Sequence, residues 1–212
     1  MFKKSFILIF ISFLFTACSF KMPEFLSFSS IDYLELQKEA DICRDLDTEK
    51  EKLECYKKIE STNSFAQIRL GTYYSTKKEY KESLKYLNMA KQSDNLYANL
   101  PLALLYYTGE GVRKDINKSF ELLKEASDID PIAAFQLSRF YLQGINTRID
   151  YDRGIKLLLF AGTSGVLQAQ DLLSNIYKEG LYGAPKDQVK YEFWLKKAKD
   201  NKEDKNSKIY IF

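Results

Sequence analysis

From Ser64 onward, apolar residues recur in two interleaved helical registers. Four segments align on an alanine (Ala66, Ala98, Ala133, Ala169) and a leucine four residues later (Leu70, Leu102, Leu137, Leu173). A small residue follows at five (Gly71, Ala103, Ser138, Ser174) and a tyrosine at eight (Tyr74, Tyr106, Tyr141, Tyr177). Offsets of 0, 4 and 8 fall on one stripe of an α-helix, and the small residue lets a second helix come close. The second register starts at an acidic residue (Glu79, Asp115, Asp150, Asp187), with a leucine at eight (Leu87, Leu123, Leu158, Leu195) and an alanine at eleven (Ala90, Ala126, Ala161, Ala198). The acidic positions are separated by 36, 35 and 37 residues. A period of this length with two helical registers predicts a helix-turn-helix unit, and one such pair cannot bury its stripe unless neighbours stack on it. The predicted fold is therefore all-α, a right-handed α-solenoid of four repeats over 63–95, 96–130, 131–166 and 167–200.

The polar positions punctuate this pattern. Asp115, Asp150 and Asp187 stand where a helix needs an N-cap. Pro131 after Asp130 suits the first position of a helix, whereas Pro101 falls inside the first helix of repeat two and predicts a kink or a late start. Gly154 stands where a helix would usually carry alanine, a substitution that weakens a helix by about 1 kcal/mol. Before the repeats, Ile31, Leu34, Ile42 and Cys43 and then Leu53, Cys55, Tyr56 and Ile59 read as a helical hairpin over 31–62. Thr48 and Glu51 have the spacing of a capping box at the start of its second helix. After the repeats, 201–212 forms a tail with a polar run and the apolar end Lys208-Ile209-Tyr210-Ile211-Phe212. This end is expected to cap the last helix or to help bind a partner.

The N-terminus has the form of an export signal. Lys3 and Lys4 precede the apolar run from Phe6 to Phe15, which is too short to span a bilayer. Small residues at Thr16 and Ala17 lead into Cys18. This resembles the lipobox of bacterial lipoproteins, with Phe15 where that family usually has leucine. The resemblance implies a signal peptide over 1–17, lipidation of Cys18, and a membrane tether over 18–30; the alternative is an ordinary signal cut near Ala17. Ser19 after the cysteine implies transport to the outer membrane, facing the periplasm. Two cysteines remain, Cys43 and Cys55. In an oxidising compartment they fit one disulfide between the facing ends of the hairpin, with a pair of buried thiols as the alternative.

The turns extend the comparison. Thr108-Gly109-Glu110-Gly111-Val112-Arg113-Lys114-Asp115 in repeat two, Gly144-Ile145 in repeat three and Glu179-Gly180-Leu181-Tyr182-Gly183-Ala184-Pro185-Lys186-Asp187 in repeat four, with Trp194, Lys197 and Ala198 beyond, resemble Sel-one-like repeats, relatives of tetratricopeptide repeats. Repeat one lacks the glycine turn and resembles a plain tetratricopeptide unit. The resemblance implies a protein-binding role through a concave surface lined by the first helices. Mapped position by position, it implicates Tyr97, Leu100, Leu104 and Tyr107 of repeat two, and Phe135, Arg139 and Leu142 of repeat three; the alternative is that such side chains are covered by the N-terminal hairpin or complete the core between repeats. Phe65, Ile68 and Thr72 precede them, Ile132 joins repeat three, and Asp171, Asn175 and Lys178 follow as a polar end.

Composition narrows the chemistry. The chain has 212 residues and no histidine, so it has no imidazole base and no histidine metal ligand. The repeated aspartates are spread over separate units as caps and make no carboxylate pair. The turn glycines do not follow a strand, so no phosphate loop is indicated. The formal charge of +3 falls to about +1 without Lys3 and Lys4, and no basic stripe remains for nucleic acid. The expectation is a non-enzyme with no cofactor and no small-molecule substrate, whose partners are another protein and, through Cys18, a membrane. Two roles fit: a scaffold in the cell envelope, or an immunity protein that neutralises a secreted toxin in the periplasm.

Overall fold

The computed structural model describes residues 33–201 and 205–212, so the leader, Cys18 and the tether lie outside the described residues. Among the described residues there are ten α-helices and no strand. The hairpin is α1 (Tyr33–Arg44) and α2 (Glu49–Ile59). The four repeats are α3 (Ser64–Thr76) with α4 (Tyr80–Gln92), α5 (Asn99–Thr108) with α6 (Ile116–Ala126), α7 (Pro131–Gln143) with α8 (Tyr151–Thr163), and α9 (Leu167–Glu179) with α10 (Gln188–Asp200). Each first helix packs on its own second helix, and α4 on α5, α6 on α7 and α8 on α9 join the units into a solenoid.

The aligned stripes are the core. All four first-helix alanines are fully buried, and Leu70, Leu102, Leu137 and Leu173 are buried with them. In the second register Leu87, Leu123 and Leu158 and the four alanines are buried too, while Leu195 at the open end is half-buried. The close approach inferred for the small residue is explicit at Gly71, where an added Cβ would lie 2.6 Å from Leu87 Cγ. Gly154 has the same purpose in the opposite sense. It is buried, and a Cβ there would lie 2.6 Å from Leu142 Cδ2, so what the sequence shows as a weak helix position is a notch that receives a neighbouring leucine.

The tyrosine and the acidic residue of each repeat turn out to be partners across the turn. The amide of Glu79 donates to the carbonyl of Tyr74, Asp115 to Tyr106, Asp150 to Tyr141, and Asp187 to Tyr177, at 2.8 to 3.0 Å. The aspartate side chains then cap the second helices by accepting from the amides of Lys118, Arg153 and Lys190. First helices α5, α7 and α9 end on left-handed glycines, Gly109, Gly144 and Gly180. Repeat one closes its shorter turn with Lys78 at φ 63° instead, and Glu79 makes no side-chain cap. Pro101 delays its helix, as expected: residues Leu96–Ala98 form a 3-10 turn, and α5 starts at Asn99, two residues before the proline. The missing amide hydrogen thus falls in the first turn, where no intrahelical partner exists.

The hairpin covers the open side of α3. Thr48 and Glu51 form the capping box, and Cys43 and Cys55 are joined by a disulfide with Cα atoms 5.4 Å apart. Asn63, fully buried, caps α3 through Ala66 and donates to the Leu36 carbonyl and the Glu39 carboxylate. A polar residue placed there locks α1 to the start of the solenoid.

Candidate functional site

The first helices α3, α5, α7 and α9 present the face that the sequence assigns to a partner. The structure divides its seven residues into three groups. Leu100 and Leu142 belong to the core and are corrected as contact residues: Leu100 is 4% exposed within the repeat-two core, and Leu142 is 3% exposed because its side chain fills the notch over Gly154. Tyr97 and Phe135 are half-buried. Tyr97 packs on Phe65 at 5.8 Å between ring centres and donates to the Ile129 carbonyl. Leu104, Tyr107 and Arg139 come together at the rim of one small cavity.

That cavity, about 170 Å³, lies between repeats two and three and is lined also by Gln136, Phe140 and Ile145, with Ser119 at its wall. Leu104 is 43% exposed beside it. The Tyr107 ring is held edge-on against Phe140 at 5.8 Å, and the Lys114 ammonium lies over it at 5.8 Å. Arg139 is exposed, and its guanidinium donates one hydrogen bond within its own helix, to Gln136 Oε1. Tyrosine and arginine, which meet here beside an exposed leucine around a small hollow, are among the residue types enriched in protein-binding hot spots.

The repeat-one end of this face is occupied by the chain itself. The tail leaves the last repeat at the α8–α9 turn, where Asn201 donates to the Gly165 carbonyl and Asn206 to that of Ser164. It forms a 3-10 helix, Lys205–Ile209, against α3 and α7. It therefore does not cap the last helix; its end reaches repeat one. Arg69 of α3 donates to the carbonyls of Lys208 (3.1 Å) and Ile209 (3.3 Å), and the Thr72 hydroxyl donates to that of Tyr210 (2.8 Å). The Tyr210 hydroxyl donates to Asp130 Oδ2 at 2.5 Å, while Asp130 Oδ1 caps α7 by accepting from Ile132. Phe212 stacks on Tyr73 at 4.2 Å and touches Tyr56 at 5.1 Å.

Electrostatics follows from this burial. Desolvation, reinforced by the Asp130 carboxylate, pushes the Tyr210 phenol well above its ordinary pKa, and the same two causes raise Tyr97. Glu49 of α2, which accepts from the Tyr73 hydroxyl, pushes that phenol up to about 12. Arg69 is fully buried and also pairs with Asp41 of α1, so one guanidinium binds the hairpin and the tail to the first repeat.

The Sel1 repeat model matches residues 64–95, 97–130, 131–166 and 167–202, more than half of the sequence. The chain belongs to the Sel1 repeat family. Repeat one, which the sequence likens to a plain tetratricopeptide unit, is matched as a Sel1 repeat despite its short turn. A Sel1 repeat protein from Oxalobacter formigenes superposes with a TM-score of 0.67 at 27% identity, over 73% of this chain and 64% of that one. The protective antigen c5321 of uropathogenic Escherichia coli, which has the same repeat fold, gives 0.61 at 21% identity, over 82% of this chain and 40% of that one. The alginate biosynthesis protein AlgK of Pseudomonas syringae is 30% identical over 97 residues, 46% of this chain and 21% of the relative. The chain thus spans under two thirds of the length of each.

Sequence reasoning missed Arg69, Asp130 and the course of the tail. A signal for Arg69 exists. It is a charged residue three places after the repeat alanine, inside the most apolar helix of repeat one, and a cation there requires buried acceptors. Nothing in the sequence alone says that those acceptors are carbonyls from 139 and 140 residues away.

Proposed function

We propose that this Sel1 repeat protein is a non-catalytic scaffold of the bacterial cell envelope that holds another protein at the junction of repeats two and three. Leu104, Tyr107 and Arg139 grip the partner there, with Phe135 and Tyr97 flanking them. The observation that carries the reading is the exposure of Leu104 beside this hollow, where Leu100 and Leu142 of the same face are buried. A partner side chain entering that hollow would bury the leucine and meet the guanidinium at its rim. The sequence features at the N-terminus support anchoring through lipidated Cys18 in the outer membrane, facing the periplasm, and the three relatives named above are all bacterial.

Leu104→Lys with Arg139→Glu reverses the character of the rim and touches no core position. The double variant keeps its helical circular dichroism and loses capture of the partner from crosslinked envelopes. Undiminished capture by a folded variant would sink the assignment of this surface. The identity of the captured protein separates envelope assembly from toxin neutralisation. Mass spectrometry of the mature N-terminus reports the anchor, because an unmodified terminus that begins away from Cys18 contradicts it.

A further inference from the structure

The seat of the C-terminal tail is built like a peptide-binding site, and it is separate from the hollow at Leu104. Three of its polar contacts are to the main chain of the tail. Arg69 and Thr72, both on α3, hold the consecutive carbonyls of residues 208, 209 and 210. Main-chain recognition is indifferent to the covalent origin of the strand it holds, while side-chain pockets at alternate positions give selectivity. Two such pockets are present. One ends on the buried carboxylate of Asp130 and takes a tyrosine hydroxyl; the other lies against Tyr56 and Tyr73 and takes an aromatic ring two residues later. Just before them in the chain, Ile209 is buried in the same apolar cluster as Ala40, Phe65 and Ile68. The tail joins the repeat core from outside the helix pairs: Ile209 shares an apolar cluster with Ala66, Leu70 and Ala98, and Tyr210 packs against the cluster of Leu102 and Leu137.

We propose that this seat is a second protein-binding site, whose ligand is a short segment of another protein with an aliphatic residue, then a tyrosine, then an aromatic residue two positions on. In the isolated chain the tail occupies it as a tethered competitor. A short tether gives an effective concentration of about 1 mM, so a free segment of equal intrinsic affinity is held off until the tail is weakened or outbid. The partner's segment would make the same carbonyl contacts to Arg69 and Thr72 and place its phenol on Asp130.

The test uses the whole chain and a fluorescently labelled peptide of residues 205–212, followed by polarisation. The probe should bind the variant Tyr210→Ala/Phe212→Ala one to one and bind the unaltered chain at least about tenfold more weakly, because the tether is intact there. A probe with phenylalanine in place of the tyrosine should lose about tenfold or more on the variant, the effect of one hydrogen bond to a charged group. No binding to the folded variant, equal binding of both probes, or equal binding to both proteins would overturn the proposal. If the double variant loses its helical signal, Phe212→Ala alone, which leaves Ile209 and Tyr210 in place, goes through the same titrations with the same criteria. Neither outcome depends on Leu104 or Arg139, so failure here leaves the function proposed for the hollow untouched.

Discussion

Replacing Arg69 with methionine keeps the aliphatic stem and removes a charge that three parts of the chain share. The guanidinium is fully buried, pairs with Asp41 of α1, and holds the carbonyls of Lys208 and Ile209. Two opposing effects set the magnitude. A buried charge costs several kcal/mol of desolvation, so replacing a whole ion pair by apolar groups is often neutral. Here only one partner leaves, and the carbonyls of Lys208 and the buried Ile209 stay behind without their donor. Each lost hydrogen bond to a charged group is worth about 1.5–3 kcal/mol, but Asp41 keeps Arg44 at 2.8 Å and its side chain is 29% exposed, so its share is discounted. The expected loss is about 3 kcal/mol, a fall in Tm of roughly 6–12 °C for a chain of this size. Urea unfolding followed by circular dichroism measures it, and hydrogen exchange should show the loss concentrated in α1, α3 and the tail. A loss under about 1 kcal/mol, or unchanged protection of the tail amides, would refute the view of Arg69 as the joint between hairpin, repeat one and tail.

Three further outcomes follow from the same contacts. Because burial and Asp130 raise the Tyr210 pKa above its unfolded value near 10, its contribution to stability is complete below about pH 10 and is lost as pH rises through the folded value; Tyr210→Phe should flatten that alkaline decline in urea titrations. Cys43→Ser with Cys55→Ser opens a loop of sequence separation 12 and should cost about 3 kcal/mol, read as earlier unfolding of the hairpin, whereas an unchanged midpoint would remove the disulfide from the account of the hairpin. Gly144→Ala forces a left-handed backbone on alanine and brings its Cβ to 3.0 Å from Ile149 Cγ1, for an expected loss of about 1–2 kcal/mol by thermal unfolding.

How much of this was legible depends on whether a contact is local or distant in sequence. The stripes, the caps at Asp115, Asp150 and Asp187, the capping box at Thr48 and the late start at Pro101 depend on residues within a turn or two of one another, and periodicity reports them directly. The pairing of Cys43 with Cys55 also lies within one hairpin. Burial along the first helices was harder to read, because the same offset can face a neighbour or the solvent. Leu104 and Leu142 both looked like contact residues. One is open, and the other disappears into a notch that exists only because residue 154 is glycine. The tail was beyond reach of periodicity altogether. Its apolar end signals a need for burial, but the place is fixed by Arg69, Thr72 and Asp130, whose demand for partners is visible only once the helices stand side by side.

The central claim is that the surface around Leu104 holds a partner protein in the cell. It is tested most directly by placing a photo-crosslinking residue at Leu104 in the full-length chain and, as a control, at Lys81 on the exposed side of α4. Irradiation of living cells should give one discrete crosslinked protein from the first position and none from the second. No product from Leu104, or the same product from both positions, would contradict it.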